Sequence, residues 1–273
     1  MNRTPLIFIH GLWLHATSWQ PWVEHFTRQG FAPLAPGWPG EPATVEEARR
    51  HPEAVAELGL DDITDHFTRI VRSLNDAPVI IGHDLGGLIA QKLIGVNLAR
   101  AAVAIAPAQI KGVPLPQSYT QRCSKFPLLS NPTNVSRTVP ISAEQFRYAF
   151  ANGVTPEESA TLFQGHTVPS PGRPFFELTS AEGGGDTRTA VETRNGSRGP
   201  LLLISGQEDR LVPDFLTRAA YKLYGDSTAV TELKQFADRA HCLTIDSGWR
   251  TIAAYTSTWL SRHGIPSAGL GDS

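Results

Sequence analysis

The chain carries little that would staple it, anchor it or charge it heavily. Two cysteines, Cys123 and Cys242, in 273 residues are too few for a disulfide framework. Cys242 follows His241 directly, a poor placement for in-line chemistry with its own neighbour, and reads as a small core residue. Charged residues make up only 18%, with 24 Lys and Arg set against 26 Asp and Glu and a net charge of -2. That scattered balance argues against a nucleic-acid or anionic-membrane surface, which needs a clustered basic face. No apolar run approaches the roughly 20 residues that a membrane-spanning helix requires. The opening Met-Asn-Arg-Thr-Pro leads straight into an apolar strand without a signal-peptide h-region, so a cytoplasmic protein is expected. There is no internal repeat, and nothing implies a metal or an organic cofactor.

What is present is a rhythm. Short apolar runs alternate with helical patterns through the first hundred residues, the signature of βαβ units on a parallel sheet. Strands are expected at 5–10, 31–36, 78–81 and 101–106, and helices from Ser18 to Gln29, at 61–75 and at 87–98. The helix at 61–75 rests on apolar residues at Ile63, Phe67, Ile70, Val71 and Leu74. The pattern resumes with strands at 200–205 and 230–236, and helices at 213–224 and 248–262. Residues 1–107 and 200–265 therefore read as a core, and 108–199 as a helical insertion. Ser142 and Thr155 are helix N-caps in that insertion. Its Gly-, Arg- and Thr-rich end, 182–199, is expected to be mobile, and the tail at 266–273 disordered.

The strongest signal is Val79-Ile80-Ile81-Gly82-His83-Asp84-Leu85-Gly86-Gly87, a strand entering a helix through a glycine-flanked turn. A tight turn there needs glycine on either side of the strand–helix contact. A carboxylate at its apex meets the unpaired N–H groups and dipole of the helix start. The stretch resembles the nucleophile elbow of the α/β-hydrolase family, G-x-S-x-G, with Asp84 where serine usually stands. Further matches follow in that family's order. His10-Gly11-Leu12-Trp13 is similar to its oxyanion turn, Gly206 to Pro213 to its acid loop, and Ala240-His241-Cys242 to its histidine loop. The resemblance implies a mostly parallel central sheet with helices on both faces and a helical lid. It also implies a triad of Asp84, Asp209 and His241, with an oxyanion hole made by the Leu12 and Leu85 N–H groups. Glu208 competes with Asp209; Asp238 and Asp246 are read as loop and helix-cap residues. His83 is read as turned away from the pocket, and His15, His51, His66 and His263 as solvated or helical.

An aspartate nucleophile changes the reaction. Serine attacks acyl carbon and leaves an acyl-enzyme; aspartate would leave a mixed anhydride. On an sp3 carbon a carboxylate forms an ester that His241 and water can cleave. Epoxide hydrolases and dehalogenases use this chemistry on this fold. Leu85 replaces the tryptophan or arginine that dehalogenases place after the aspartate, and Trp13 replaces the proline of many epoxide hydrolases. In detail the chain resembles a bacterial group of hydrolases with serine in the elbow, so a serine scaffold converted to aspartate, naturally or by engineering, stays open. The first expectation is an epoxide hydrolase giving a diol. A dehalogenase, an ester hydrolase or lyase, and a catalytically silent binding protein are the alternatives. The expected ligand is a small apolar molecule, and a homodimer is compatible with the chain. Tyr148 and Tyr119 are the candidates for the acid, and Trp13 and Phe146 for a bulky apolar pocket.

Overall fold

The computed structural model describes residues 3–117, 131–180, 187–265 and 267. Six strands form one parallel sheet: β1 Pro5–Ile9, β2 Ala32–Leu34, β3 Val79–His83, β4 Ala101–Ile105, β7 Leu201–Gly206 and β8 Thr231–Phe236. Their order across the sheet is β2-β1-β3-β4-β7-β8. A short antiparallel pair, β5 Thr138–Val139 and β6 Ser170–Pro171, lies between β4 and β7 in sequence. The mostly parallel sheet expected from the alternating pattern is therefore present. The second strand is the weakest match, three residues instead of six, because Pro33 and Pro36 remove ladder donors.

Side-chain alternation along β1 splits the core in two. Leu6 and Phe8 pack with Trp19, Trp22, Phe26, Trp249 and Trp259. Those residues come from helices α1 (Gln20–Arg28) and α9 (Trp249–Arg262) and the 3-10 turn Ala16–Trp19. Ile7 and Ile9 pack on the other face with α3 (Leu60–Arg72), α4 (Leu85–Gly95) and α8 (Asp214–Lys222). Both faces are covered, which is why β1, β3, β4 and β7 read as unbroken apolar runs. The cap at Ser18 is a correction. His15 accepts the Thr17 N–H at the start of the 3-10 turn, and Pro21 opens α1. A further short helix, α2 (Val45–Arg50), was hidden by its polar sequence.

Between β4 and β7 the chain leaves the sheet, and its described part forms α5 (Ala143–Ala149), α6 (Pro156–His166) and α7 (Arg173–Ser180). Ser142 and Thr155 cap α5 and α6 as expected. Residues 187–199 of the stretch expected to be mobile make specific contacts with the core. There Thr189 and Arg198 are buried, Thr189 O accepts Lys111 N–H, and Asn195 binds Gly95 O at 2.8 Å. A glycine- and arginine-rich composition did not show that these side chains reach into the core. The 181–186 part of that expectation, and the tail apart from residue 267, lie outside the described residues.

The chain runs outward from β1 to β2 and then back to β3 on the other side of β1. In open α/β sheets such a reversal leaves a crevice at the carboxyl ends of the two strands. The turns after β1 and β3 carry His10 to Trp13 and Asp84. The fit is close: a Cβ on Gly86 would stand 2.1 Å from Ile9 O, and one on Gly82 would stand 2.0 Å from Gly86 O. Gly86→Ala is therefore expected to destabilise the fold by about 3 kcal/mol, the upper range for overpacking. A lowered urea midpoint at unchanged slope would show it; an unmoved midpoint would mean the turn is looser than these distances say.

Candidate active site

Asp84 sits at the end of β3 with φ 51° and ψ −117°, a conformation side chains rarely adopt. Its backbone is tied from four sides. Its N–H donates to Ile105 O, and its carbonyl accepts the N–H groups of Gly87, Leu88 and Ala108. The strained turn pushes the carboxylate across to the neighbouring loop, where Oδ2 accepts the Leu12 N–H at 2.9 Å. Gly11 allows the approach, since a Cβ there would come within 2.5 Å of Asp84 Cβ. Burial raises the pKa of Asp84, and the charge of His241 and the Leu12 and Leu85 N–H groups oppose that rise only in part. The two expected oxyanion donors thus converge on the carboxylate itself.

His241, from the loop after β8, donates through Nδ1 to Asp209 Oδ2 at 2.7 Å. Asp209, from the loop after β7, is held by the Leu211 and Val212 N–H groups, both at 2.8 Å from Oδ1. Both side chains are fully buried. Burial pulls the His241 pKa down, but Asp209 and then Asp84 outweigh it, and the net shift is upward. Nε2 of His241 has no hydrogen-bond partner among the described residues. Glu208, the competing acid, is exposed; its carbonyl accepts from Asn152 and its backbone N–H donates to Arg239 O. Asp238 is exposed, and Asp246 is buried in the loop before α9, where it accepts the Gly248 N–H and faces Arg239; no side chain among the described residues caps α9, which corrects the cap role expected of it.

His83 is turned away from the pocket over Asp84, as expected; its ring lies 4.5 Å from that of His241, and its Nε2 donates to His241 O at 2.9 Å. Burial, then the neighbouring His241, holds the His83 pKa well below the ordinary value, so it braces the loop as a neutral ring. The only sequence signal was its place at the carboxyl end of β3, where the loop after β8 must arrive. His15 is buried rather than solvated, with Nε2 donating to Pro42 O at 2.9 Å.

A small recess of about 20 Å³ opens over Asp84, lined by Leu12, Ala108, Gln109, Phe175, Leu178 and Leu211 among others. It is mainly apolar, with the Gln109 amide as a polar side chain tied to Leu178 O. Helix α7 forms its outer wall. Glu177 on that helix is buried, pairs with Arg173 and Arg188, and accepts the Leu60 N–H at 2.7 Å, which fastens α7 to the start of α3. The lid candidates fare differently. Tyr148 is 54% exposed with Arg210 over its ring, and does not line the recess, which corrects its assignment as the acid. A capped helix with an amphipathic pattern did not reveal which of its faces turns inward. Tyr119 lies outside the described residues. Trp13 and Phe146 are core instead of pocket. Trp13 donates to Val139 O and packs on Phe150 and Phe175, and Phe146 stacks on Phe150. Among the described residues no group of three or more His, Cys, Asp or Glu could hold a metal ion.

The chain belongs to the alpha/beta hydrolase family, whose sequence profile matches residues 6–254. It is 29% identical over 110 residues to (E)-2-((N-methylformamido)methylene)succinate hydrolase of Acinetobacter baylyi. That alignment covers 40% of this chain and 38% of the relative, well under two thirds of its length. The fold is similar to that of a monoacylglycerol lipase from Paleococcus ferrophilus, with TM-score 0.66 and 18% identity over 95% of this chain and 94% of that one. Tomato methylketone synthase I is similar too, with TM-score 0.68 and 16% identity over 96% of this chain and 100% of that one. At such identities the two structures speak for the fold alone.

Asp209 is the first-ranked upward influence on His241, so Asp209→Asn should move the imidazole's titration to lower pH. Proton NMR of the ring across a pH series reads this directly. A titration that stays where it is would mean the 2.7 Å contact is not an ion pair in solution.

Proposed function

We propose that the protein is a hydrolase that displaces a leaving group from an sp3 carbon by attack of Asp84, with an epoxide as the substrate class. The observation that carries this reading is the bond from Leu12 N–H to Asp84 Oδ2. An acyl hydrolase needs its oxyanion hole empty, to receive the substrate's oxygen. Here an oxygen of the chain's own carboxylate already occupies that place. Attack through the other oxygen, Oδ1, leaves Oδ2 where it is, and it becomes the carbonyl oxygen of the new ester. Water directed by His241 then adds to that carbonyl, and the charge returns to Oδ2 against the Leu12 N–H, a kind of donor typically worth about 3–4 kcal/mol at this step.

For an epoxide, the bond from Oδ1 to carbon forms as the ring C–O bond breaks, and the released oxygen takes a proton from water. Gln109 is suited to hold that oxygen, because its amide has a second N–H beyond the one given to Leu178 O. Leu85, fully buried and apolar, offers no side-chain donor to a halide, which disfavours a dehalogenase. The resulting steps have opposite proton demands. Attack needs Asp84 ionised, so it fails as pH falls through that raised pKa. Ester cleavage needs His241 neutral, so it fails as pH falls through the His241 pKa. Esterification removes the Asp84 charge, one of the influences raising that pKa. The pH limb of ester cleavage should therefore lie below the titration of His241 in the resting protein. A limb at or above it would count against a carboxylate ester on Asp84.

His241→Gln should leave the attack intact and stall the ester. After incubation with an epoxide panel, the intact protein should gain the whole mass of one epoxide, and peptide sequencing should place it on Asp84. Gain of an alkyl group without halogen from a haloalkane panel would transfer the reading to a dehalogenase. An adduct on any other residue would overturn it. Tyr148→Phe should leave turnover unchanged, since its hydroxyl does not face the recess; a large loss would restore it as the acid.

A further inference from the structure

His10, one residue before the Gly11–Leu12 peptide, faces two acceptors at once. Its Nδ1 stands 3.0 Å from Gly11 O and its Nε2 stands 3.2 Å from Glu41 Oε2. A carbonyl has no proton to give, so Nδ1 carries one, and a carboxylate 3.2 Å from Nε2 favours a second proton there, which makes the ring an imidazolium paired with Glu41. The pair is buried, with side-chain exposures of 2% for His10 and 6% for Glu41. Trp38 stacks on the His10 ring at 4.6 Å, and its backbone N–H donates to Glu41 Oε2 at 3.1 Å.

Gly11 O and Leu12 N belong to one planar peptide unit and point from its opposite edges. The oxygen accepts from His10, while the N–H donates to Asp84 Oδ2. An ion-pair contact from Glu41 to His10 and hydrogen bonds from His10 to the peptide and from the peptide to Asp84 therefore lie in series. A cation at an amide oxygen draws charge from its N–H and strengthens that N–H as a donor. A buried ion pair kept for stability alone gains little over an apolar pair of the same volume. This one is aimed at the edge of the peptide opposite the candidate nucleophile.

We propose that Glu41 and His10 are positioning residues that fix the Gly11–Leu12 peptide and strengthen its N–H as the oxyanion-hole donor. The inference rests on the reading of Leu12 as that donor, and not on which substrate is cleaved. Burial pulls His10 down, and the Glu41 carboxylate more than reverses it, so the ring's pKa is raised. Burial pushes Glu41 up, and His10 more than reverses that, so the carboxyl lies below its ordinary value. The pair stays charged from below the ordinary glutamate range to above the ordinary histidine range. Other groups face it. His15 Nε2 lies 3.8 Å from Glu41 Oε1, and His51 lines the same recess as His10 and Glu41. His83 feels the charge of His10, and Asp84 stands across the peptide.

The test reads the resting protein by NMR, so it does not depend on the aspartate mechanism. In protein with 15N-labelled histidine, both ring nitrogens of His10 should carry protons at neutral pH. The Leu12 amide proton should move upfield as pH rises through the loss of the His10 proton. The Leu85 amide is the internal control, because a change at Asp84 or His241 moves both amides and a change at His10 moves only Leu12. Glu41→Gln should shift the Leu12 amide upfield already at neutral pH. On a substrate that turns over, it should lower kcat about tenfold with little change in KM, less than the 10²–10³ loss typical when a donor is removed. If Glu41→Gln does not fold, the pH series on the unaltered protein decides alone. An unprotonated His10 nitrogen at neutral pH, or a Leu12 amide that tracks Leu85 throughout, would overturn the proposal. A missing ester on Asp84 with the Leu12 shift intact would sink the proposed reaction and leave the relay standing.

Discussion

Most of the site hangs on a carboxylate forced by a strained turn against a neighbouring backbone N–H. The φ of 51° at Asp84 costs on the order of 1–3 kcal/mol, and burial of the charge adds to it. Four backbone hydrogen bonds and the close contacts of Gly82 and Gly86 leave that residue no relaxed alternative. Because the turn cannot give, the Cα–Cβ bond of Asp84 keeps its direction, and the Leu12 N–H holds the carboxylate it carries. The adjoining strands supply the rigidity, since β1 and β3 are buried on both faces.

Charge in this pocket is managed in layers. Asp84 and Asp209 both act on His241, one as a candidate reactant and the other as its hydrogen-bonded partner. His83 stays neutral beneath them and holds the His241 backbone. The Glu41 and His10 pair lies on the far side of the Gly11–Leu12 peptide, close enough to act through it but unable to neutralise Asp84 by direct contact. Such separation lets one pocket hold a basic imidazole, a neutral one and a cationic one.

The sheet and the places of Asp84, Asp209 and His241 were legible because each leaves a local signature. An apolar run with a glycine turn marks the strand ends that carry His10-Gly11, Asp84 and Asp209, while His241 follows the polar, glycine-free end of β8 and was found by its order in the chain. The insertion was less legible. Ser142 and Thr155 announced where helices begin, but nothing in sequence said that the ring of Tyr148 faces Arg210 and solvent. Nothing in sequence marked Arg198 and Glu177 as buried, because the partners Thr231 and Leu60 come from parts of the chain distant in sequence. His83 and His10 were passed over for the same reason: the contacts that give them meaning, His241 and Glu41, are set by tertiary packing.

The insertion is also bonded to the loops that carry the histidine and the acid. Phe150 O accepts the Cys242 N–H, Glu158 holds Ser247, and Asn152 binds Glu208 O. Phe150 presses its ring edge on His241 at 4.8 Å. A cap joined to a core only at its two ends can be exchanged for another in one recombination event. This one cannot be grafted or swapped as a cassette without resetting the geometry of His241. Replacing the segment would remove with it the contacts that Phe150, Asn152 and Glu158 make on the loops around His241.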